Sequence, residues 1–99
     1  MQNYPARTLD YYLDRAMRLH GFLSYAELSR ALNVGTAAMT FWRQGKCLPN
    51  SDHMARLAQL GDLPLREALI DLKIWESKDN PLLNAAYQSI QRTLEGALA

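Results

Sequence analysis

The sequence has very little of what metal and disulfide chemistry require. Its 99 residues contain one cysteine, Cys47, and two histidines, His20 and His53. A single cysteine closes no internal disulfide, and with two scattered histidines it does not complete a four-ligand zinc site. We therefore expect no bound metal, and we predict that Cys47 is a small, partly buried residue beside a loop.

Long apolar runs are also missing. No segment approaches the roughly 20 apolar residues that cross a bilayer, and the first residues, Met1 to Pro5, lack the charged and apolar blocks of a secretory signal. We therefore expect a cytoplasmic protein with no membrane partner.

Catalytic constellations are absent as well. His20 and His53 have no serine, cysteine or carboxylate partner at a recognisable catalytic spacing, and there is no glycine-rich phosphate loop. Surface or helix-end positions are predicted for both histidines. The chain is therefore predicted not to be an enzyme and to need no cofactor.

What is present fits one globular domain. Hydrophobic residues make up 48% of the chain and charged residues 21%, close to the average of soluble domains. The formal net charge of +1 is low for a nucleic-acid-binding protein. The charges are unevenly spread, however, because no acidic residue lies between Leu28 and Ser51, whereas Arg30, Arg43 and Lys46 do. This pattern predicts one positive surface on a nearly neutral body.

Start and stop signals predict about six helices, and nowhere do β-branched residues occur in the apolar alternation of a strand. The first helix is predicted from about Thr8 to His20. Ser24 to Glu27 has the form of a capping box and opens the second helix, and the third is predicted from Thr36, its cap, to Gln44. The other predicted starts are Asn50 or Ser51 for the fourth helix, Pro64 for the fifth and Asn80-Pro81 for the sixth.

Apolar spacing picks out the faces that should be buried. Met39 and Trp42, three residues apart, are predicted to be core. Phe41 cannot share that inward face, so it is either exposed for a partner or folded against a neighbouring element. The predicted inward residues of the fourth and fifth helices are Met54, Leu57, Ala58, Leu60, Leu65, Ala68, Leu69 and Leu72.

Asn33, Val34 and Gly35 suit a turn between the second and third helices, and the segments on either side of it match a known pattern. The first reads AELSRALNV, from Ala26 to Val34, and the second reads MTFWRQGK, from Met39 to Lys46, with Pro49 soon after. Together they resemble the helix-turn-helix of the lambdoid-phage repressor and Cro family, also called XRE-like, over roughly Leu9 to Leu69. The resemblance implies an all-α fold: a five-helix repressor-like helix-turn-helix domain, residues 1–78, followed by a C-terminal helix.

The resemblance also implies a set of DNA contacts. Tyr25 and Lys46 would contact the phosphate backbone, and Arg43 would contact either guanine or phosphate. Gln44 is a further candidate contact. The residues implied to face base edges are Thr36, Ala37, Ala38, Thr40 and Phe41, of which threonine can hydrogen-bond to a base while alanine and phenylalanine can pack on thymine methyl groups. Because few of these side chains donate hydrogen bonds, part of the specificity would come from DNA shape.

Residues 79–99 form a predicted amphipathic helix. Leu83, Tyr87, Ile90 and Leu94 step by four and three residues, which is a seam about two heptads long. Such a helix either folds back on its own bundle or pairs with the same helix of a second copy. Dimerisation is favoured, because a two-fold protein reads two half-sites.

Two functional classes follow. The first is a sequence-specific DNA-binding transcriptional regulator, a repressor of phage or mobile-element type that binds an inverted-repeat operator in double-stranded DNA as a homodimer without a cofactor. The second is a protein-interaction module, such as an antitoxin or adaptor, that uses Phe41 and the C-terminal helix to hold a protein partner.

Overall fold

The computed structural model describes residues 7–98, and it is all-helical in that range, as predicted. Residues 1–6 of the predicted 1–78 domain and Ala99 of the predicted 79–99 helix lie outside the described residues. None of the described helices combines the length and the apolar character needed to cross a bilayer. The helices are α1 (Leu9–His20), α2 (Tyr25–Leu32), α3 (Thr36–Gln44), α4 (Ser51–Leu60), α5 (Leu65–Glu76) and α6 (Pro81–Leu98).

Side-chain caps set the starts of three helices. Thr8 accepts a hydrogen bond from the Tyr11 N–H at 3.3 Å and opens α1. Ser24 accepts from the Glu27 N–H at 3.3 Å, and the Glu27 carboxylate reaches back to the Leu23 N–H. At α4 the cap is Asn50, whose side chain accepts from the His53 N–H at 2.8 Å, and Ser51 is the first helical residue. These bonds satisfy N–H groups that have no partner inside the helix.

The predicted cap of α3 is wrong. Gly35 occupies the cap position in an extended conformation without a side-chain cap bond, and Thr36 is already helical. The cause is a tight turn after α2: Asn33 adopts a left-handed conformation with φ 57°, and the Val34 N–H donates to the Ser29 carbonyl at 2.9 Å. Asparagine tolerates that conformation well, so the turn closes early and the extended cap position falls on Gly35.

One apolar core joins the first five helices. Met39 and Trp42 are both buried, as predicted, and so are Met54, Leu57 and Ala58 of α4. The core consists of Leu9, Tyr12, Leu13, Ala16, Leu28, Leu32, Met39, Trp42, Met54, Leu57, Ala58, Ala68 and Leu72.

Two residues predicted to be inward or partly buried are instead exposed. Leu65 is 50% exposed, because the buried face of α5 is centred on Ala68 and Asp71 and leaves the first residue of the helix at its edge. Cys47 is exposed in the segment that follows α3. Both predictions relied on local composition, and both positions border surface turns.

A polar cluster joins α6 to the rest of the fold. Asp71, 1% exposed, accepts hydrogen bonds from Arg7 Nε at 2.8 Å, from Gln91 Nε2 at 2.6 Å and from the Tyr12 hydroxyl. Arg7 also reaches Glu67 and Glu95, each at 3.4 Å, and its backbone carbonyl accepts from Trp75 Nε1 at 3.0 Å. We refer to Arg7, Tyr12, Glu67, Asp71, Trp75, Gln91 and Glu95 as the polar joint.

Burial and the carboxylate change the acidity of the phenol in this joint. Burial first, and then the hydrogen bond and negative charge of Asp71, raise the pKa of Tyr12 far above its usual range. Tyr12 therefore stays protonated and keeps donating to Asp71 under all ordinary conditions.

Helix α6 folds back on its own bundle through polar side chains. Asn84 donates to the carbonyl of Ile74, in the last turn of α5, at 2.9 Å, and Gln91 and Glu95 join the cluster around Asp71. The predicted seam is split by this packing. Tyr87 and Leu94 are half-buried, whereas Leu83 and Ile90 remain 49% and 44% exposed.

Candidate nucleic-acid interface

Helices α2 and α3 form a crossed pair that leaves one side of α3 open. Helix α3 packs against α1 and α2, and its buried side chains are those of Met39 and Trp42. The Trp42 ring also meets the His53 ring of α4 at a centroid distance of 5.7 Å. Because α3 is anchored on one side, the opposite side is fixed in orientation and faces solvent.

The exposed side of α3 is uncharged. Ala37, Thr40, Phe41 and Gln44 are all exposed, and their spacing of three and four residues places them on one face, which we call the outer face of α3. Phe41 is 45% exposed, which decides between the two placements left open by the sequence. Ala38 is half-buried and lies toward Met39, and Thr36 is exposed at the first turn.

Arg43 lies on the flank of α3 that faces α2. Its guanidinium carbon stands 3.9 Å from the centroid of the Tyr25 ring, at the start of α2. A cation over an aromatic face is attracted by the ring quadrupole, worth about 0.5–1 kcal/mol at exposed sites. Arg43 is thus held to one side of the outer face, next to α2, and does not project from its centre.

Lys46 stands on the other flank, after α3 ends at Gly45. Gly45 adopts a left-handed conformation with φ 74° and turns the chain, and the Lys46 N–H donates to the Phe41 carbonyl at 2.9 Å. The Lys46 ammonium nitrogen lies 5.7 Å from the centroid of the Phe41 ring. The outer face therefore has one cation beside each of its edges.

The hydroxyl of Thr40 forms a hydrogen bond within α3. Its Oγ1 donates to the Thr36 carbonyl at 2.9 Å. A hydroxyl has one hydrogen to donate, so Thr40 keeps its methyl group and acceptor lone pairs for a partner but no free donor. Gln44 is then the one side chain of the outer face with free amide donors.

The basic residues of the acid-free stretch differ in their ion pairing from two basic residues elsewhere. In the part of the chain that the structure describes, Arg30, Arg43 and Lys46 form no ion pair, whereas Arg18 and Lys73 each pair with a carboxylate on their own helix. The Glu27 carboxylate, at the start of α2, accepts from a backbone N–H. The cations of the acid-free stretch thus lie on α2, on α3 and directly after α3, and the positive surface around them stays a prediction.

Other surface features lie elsewhere. A shallow, open depression on α4 and the start of α5 contains none of the predicted site residues; it is lined by Asp52, Ala55, Arg56, Gln59, Asp62, Leu63 and Leu65. Within residues 7–98, no three metal-ligating side chains come together.

The predicted contact residues are brought together, with one arrangement that sequence reasoning missed. The resemblance implies three separate DNA contacts, at Tyr25, Arg43 and Lys46. In the structure Arg43 stacks on Tyr25. No local signal marks that contact, because it depends on how α2 and α3 cross.

Comparisons with known proteins add no family to this geometry. No family model matches the chain, and no curated protein and no solved structure matches it.

Proposed function

We propose that the chain is a cytoplasmic, sequence-specific DNA-binding protein that regulates transcription as a repressor. The observation that carries this proposal is the outer face of α3, which is uncharged along its centre and has Arg43 and Lys46 on opposite flanks. The major groove of DNA has the same layout, with base edges at its floor and phosphates along both sides.

The dimensions also agree with docking of α3 in the major groove. The groove is about 12 Å wide, and an α-helix with its side chains is about 10–12 Å across. With Ala37, Thr40, Phe41 and Gln44 toward the bases, Arg43 and Tyr25 reach one phosphate strand and Lys46 reaches the other. The packed side of α3, with Met39 and Trp42, stays against the bundle.

A homodimer completes the proposed binding mode. Leu83 and Ile90 of α6 are the exposed apolar residues that a second copy would cover. A two-fold dimer would place two copies of α3 on an inverted repeat, with half-sites about one helical turn of DNA apart, or a multiple of it. Occupation of such a site at a promoter would block transcription, and the binding itself requires no cofactor.

The test is a selection from random double-stranded DNA followed by binding assays at several salt concentrations. Arg43→Ala and Lys46→Ala are each expected to lower affinity and to reduce the salt slope by about one unit per lost phosphate contact. Lys78→Ala is the matched control, because Lys78 is exposed after α5 and carries the same charge. It should leave the slope unchanged.

The outcomes separate clearly. A two-fold-symmetric site, weakened by the two site variants and unaffected by Lys78→Ala, supports the proposal and gives the half-site spacing. If no sequence is enriched and all three variants behave like the parent, the proposal fails.

A protein-interaction module is the second candidate, and one observation favours it. Phe41 exposes 45% of its surface on a helix with few hydrogen-bond donors, as a residue that anchors a protein partner would. A partner held by apolar contacts would bind with little dependence on salt, whereas phosphate binding weakens steeply as salt is added. The same titration therefore distinguishes the two classes.

A further inference from the structure

We infer that the outer face of α3 recognises thymine methyl groups, and that Ala37 and Phe41 are the residues that determine this preference. The inference rests on the proposed DNA-binding function and specifies which DNA the site selects. Its starting point is the shortage of hydrogen-bond donors on a face that otherwise has the position of a base-reading surface.

The donors of the outer face can be taken one at a time, leaving aside the hydroxyl of Thr36, which is exposed at the first turn beside that face. The Thr40 hydroxyl hydrogen is bonded to the Thr36 carbonyl at 2.9 Å. The Arg43 guanidinium stands 3.9 Å over the Tyr25 ring, on the flank toward α2, where it faces backbone phosphate in the docked arrangement. Gln44 remains as the one outer-face side chain with free amide donors, and glutamine pairs with adenine through N6 and N7.

The groups that remain are apolar. Ala37 and Phe41 are the outer-face residues whose side chains are wholly apolar, since the methyl group of Thr40 shares its side chain with a hydroxyl oxygen. Ala37 offers a methyl group, and Phe41 offers a ring that is 45% exposed and lies beside Lys46. In the major groove, the C5-methyl of thymine is the apolar group by which a base pair is distinguished. A guanine or cytosine at these positions would place polar edges against apolar side chains and leave them without partners.

The two residues are far enough apart to contact different base pairs. Ala37 and Phe41 are four residues apart, a rise of about 6 Å along the helix. Neighbouring base pairs are about 3.4 Å apart along the DNA axis, so one base pair does not span both side chains. We therefore expect two separate thymine contacts in each half-site.

The experiment replaces thymine by deoxyuridine, one position at a time, in the selected site. Deoxyuridine lacks the C5-methyl group and keeps every base-pairing atom. The loss of one buried methyl contact is expected to weaken binding about fourfold, and about fifteenfold when the symmetric position is changed as well. Two positions in each half-site should show the effect.

Variants assign each methyl group to its residue. Phe41→Ala is expected to lower overall affinity and to abolish the deoxyuridine effect at one of the two positions, and Ala37→Gly should abolish it at the other. Gln44→Ala is the matched control on the same face, and it should leave both effects at about fourfold. Circular dichroism checks that each variant keeps its helices, which is expected because the three side chains are exposed.

Failure of the inference differs from failure of the proposed function. A recovered site whose deoxyuridine versions all bind within twofold of the parent overturns thymine recognition and leaves DNA binding intact. Effects that persist in both Phe41→Ala and Ala37→Gly overturn the assignment of residues. Absence of any specific site overturns the proposed function and this inference together.

Discussion

The bundle of α1 to α5 and the polar joint that connects α6 to it are held together by opposite chemistry. In the bundle, side chains such as Leu28 and Leu57 are fully buried among other apolar groups. In the joint, a buried carboxylate, Asp71, is bonded to Arg7, Tyr12 and Gln91. As a result the inward face of α6 carries polar side chains beside two half-buried residues of the seam, and the other two seam residues stay in solvent. The apolar stripe of a helix therefore does not always coincide with the face that packs on its own chain.

Removal of Asp71 from the polar joint is expected to cause the largest loss of stability. Asp71→Ala deprives Tyr12 and Gln91 of their shared charged acceptor in a buried setting, while Arg7 keeps its two weaker carboxylate partners. The free energy of unfolding should fall by about 3–5 kcal/mol. Urea titration followed by circular dichroism measures the change. Asp14→Ala is the control, because Asp14 pairs with Arg18 at 2.9 Å but is 61% exposed, so its loss should cost under about 1 kcal/mol. Equal effects of the two variants would contradict a structural role for the polar joint.

Truncation in the bundle is expected to be nearly as costly. Leu57 is completely buried, so Leu57→Ala removes apolar contacts and leaves a cavity, at about 2–5 kcal/mol of unfolding free energy. Leu82→Ala removes the same atoms from a side chain that is 85% exposed on α6, and it should change stability by less than about 0.5 kcal/mol. Urea titration of both variants measures the difference. A loss above about 1 kcal/mol at Leu82 would show that the start of α6 is buried against something.

Alkaline pH should lower the stability of the fold through the Tyr12 proton in the polar joint. Burial and Asp71 raise the pKa of Tyr12 above the value of about 10 that it has in the unfolded chain. The folded chain therefore holds this proton more tightly, and the resulting stability is fully present below pH 10 and is lost as the pH rises further. The expected loss is about 1.4 kcal/mol per pH unit. Unfolding free energies of the parent and of Tyr12→Phe, measured from pH 8 to pH 11, test this. Above pH 10 the stability of the variant should fall with a slope that is shallower by one proton than the slope of the parent. Equal slopes in that range would contradict the prediction.

The exposed apolar residues of α6 should matter for association and hardly at all for folding. The double variant Leu83→Ser, Ile90→Ser is expected to shift the proposed dimer toward monomer, as measured by sedimentation at several concentrations. Unfolding free energy of the monomer should change by about 0.5 kcal/mol or less, because both side chains are already about half exposed. Leu23→Ser, at a leucine that is 91% exposed before α2, is the control and should leave the association unchanged. A dimer that survives the double variant would assign the interface to another surface.

The ends of most helices could be predicted from the sequence, because the residues that form each helix cap are close together in the chain. Thr8, Ser24 and Asn50 each accept from an N–H three residues further on, and left-handed Gly21 and Gly45 end α1 and α3. Thr36 was the exception, since the cap position was decided by how tightly the turn at Asn33 closed. The sequence predicts a turn after α2, but it does not predict that the turn is short enough to place Gly35 at the cap position of α3.

The polar joint could not be predicted, because its partners are far apart in the chain. Most aspartates lie on the surface, so a single sequence predicts a surface position for Asp71. Nothing near Asp71 in the chain indicates that it is buried. Its partners Arg7 and Tyr12 lie 64 and 59 positions away. At the candidate site the outer face of α3 follows from helical spacing, whereas the stack of Arg43 on Tyr25 depends on the crossing of two helices.

Arg7 has a mechanical consequence for the whole chain. It contacts Glu95, 88 positions away, at 3.4 Å, and it also holds Asp71 of α5. The two ends of the described chain are thus fastened to each other and to the same helix. A force that pulls these ends apart loads the arginine before it loads the apolar core. The domain is therefore expected to yield in two steps, in which α6 first peels from α5 and the bundle then unfolds.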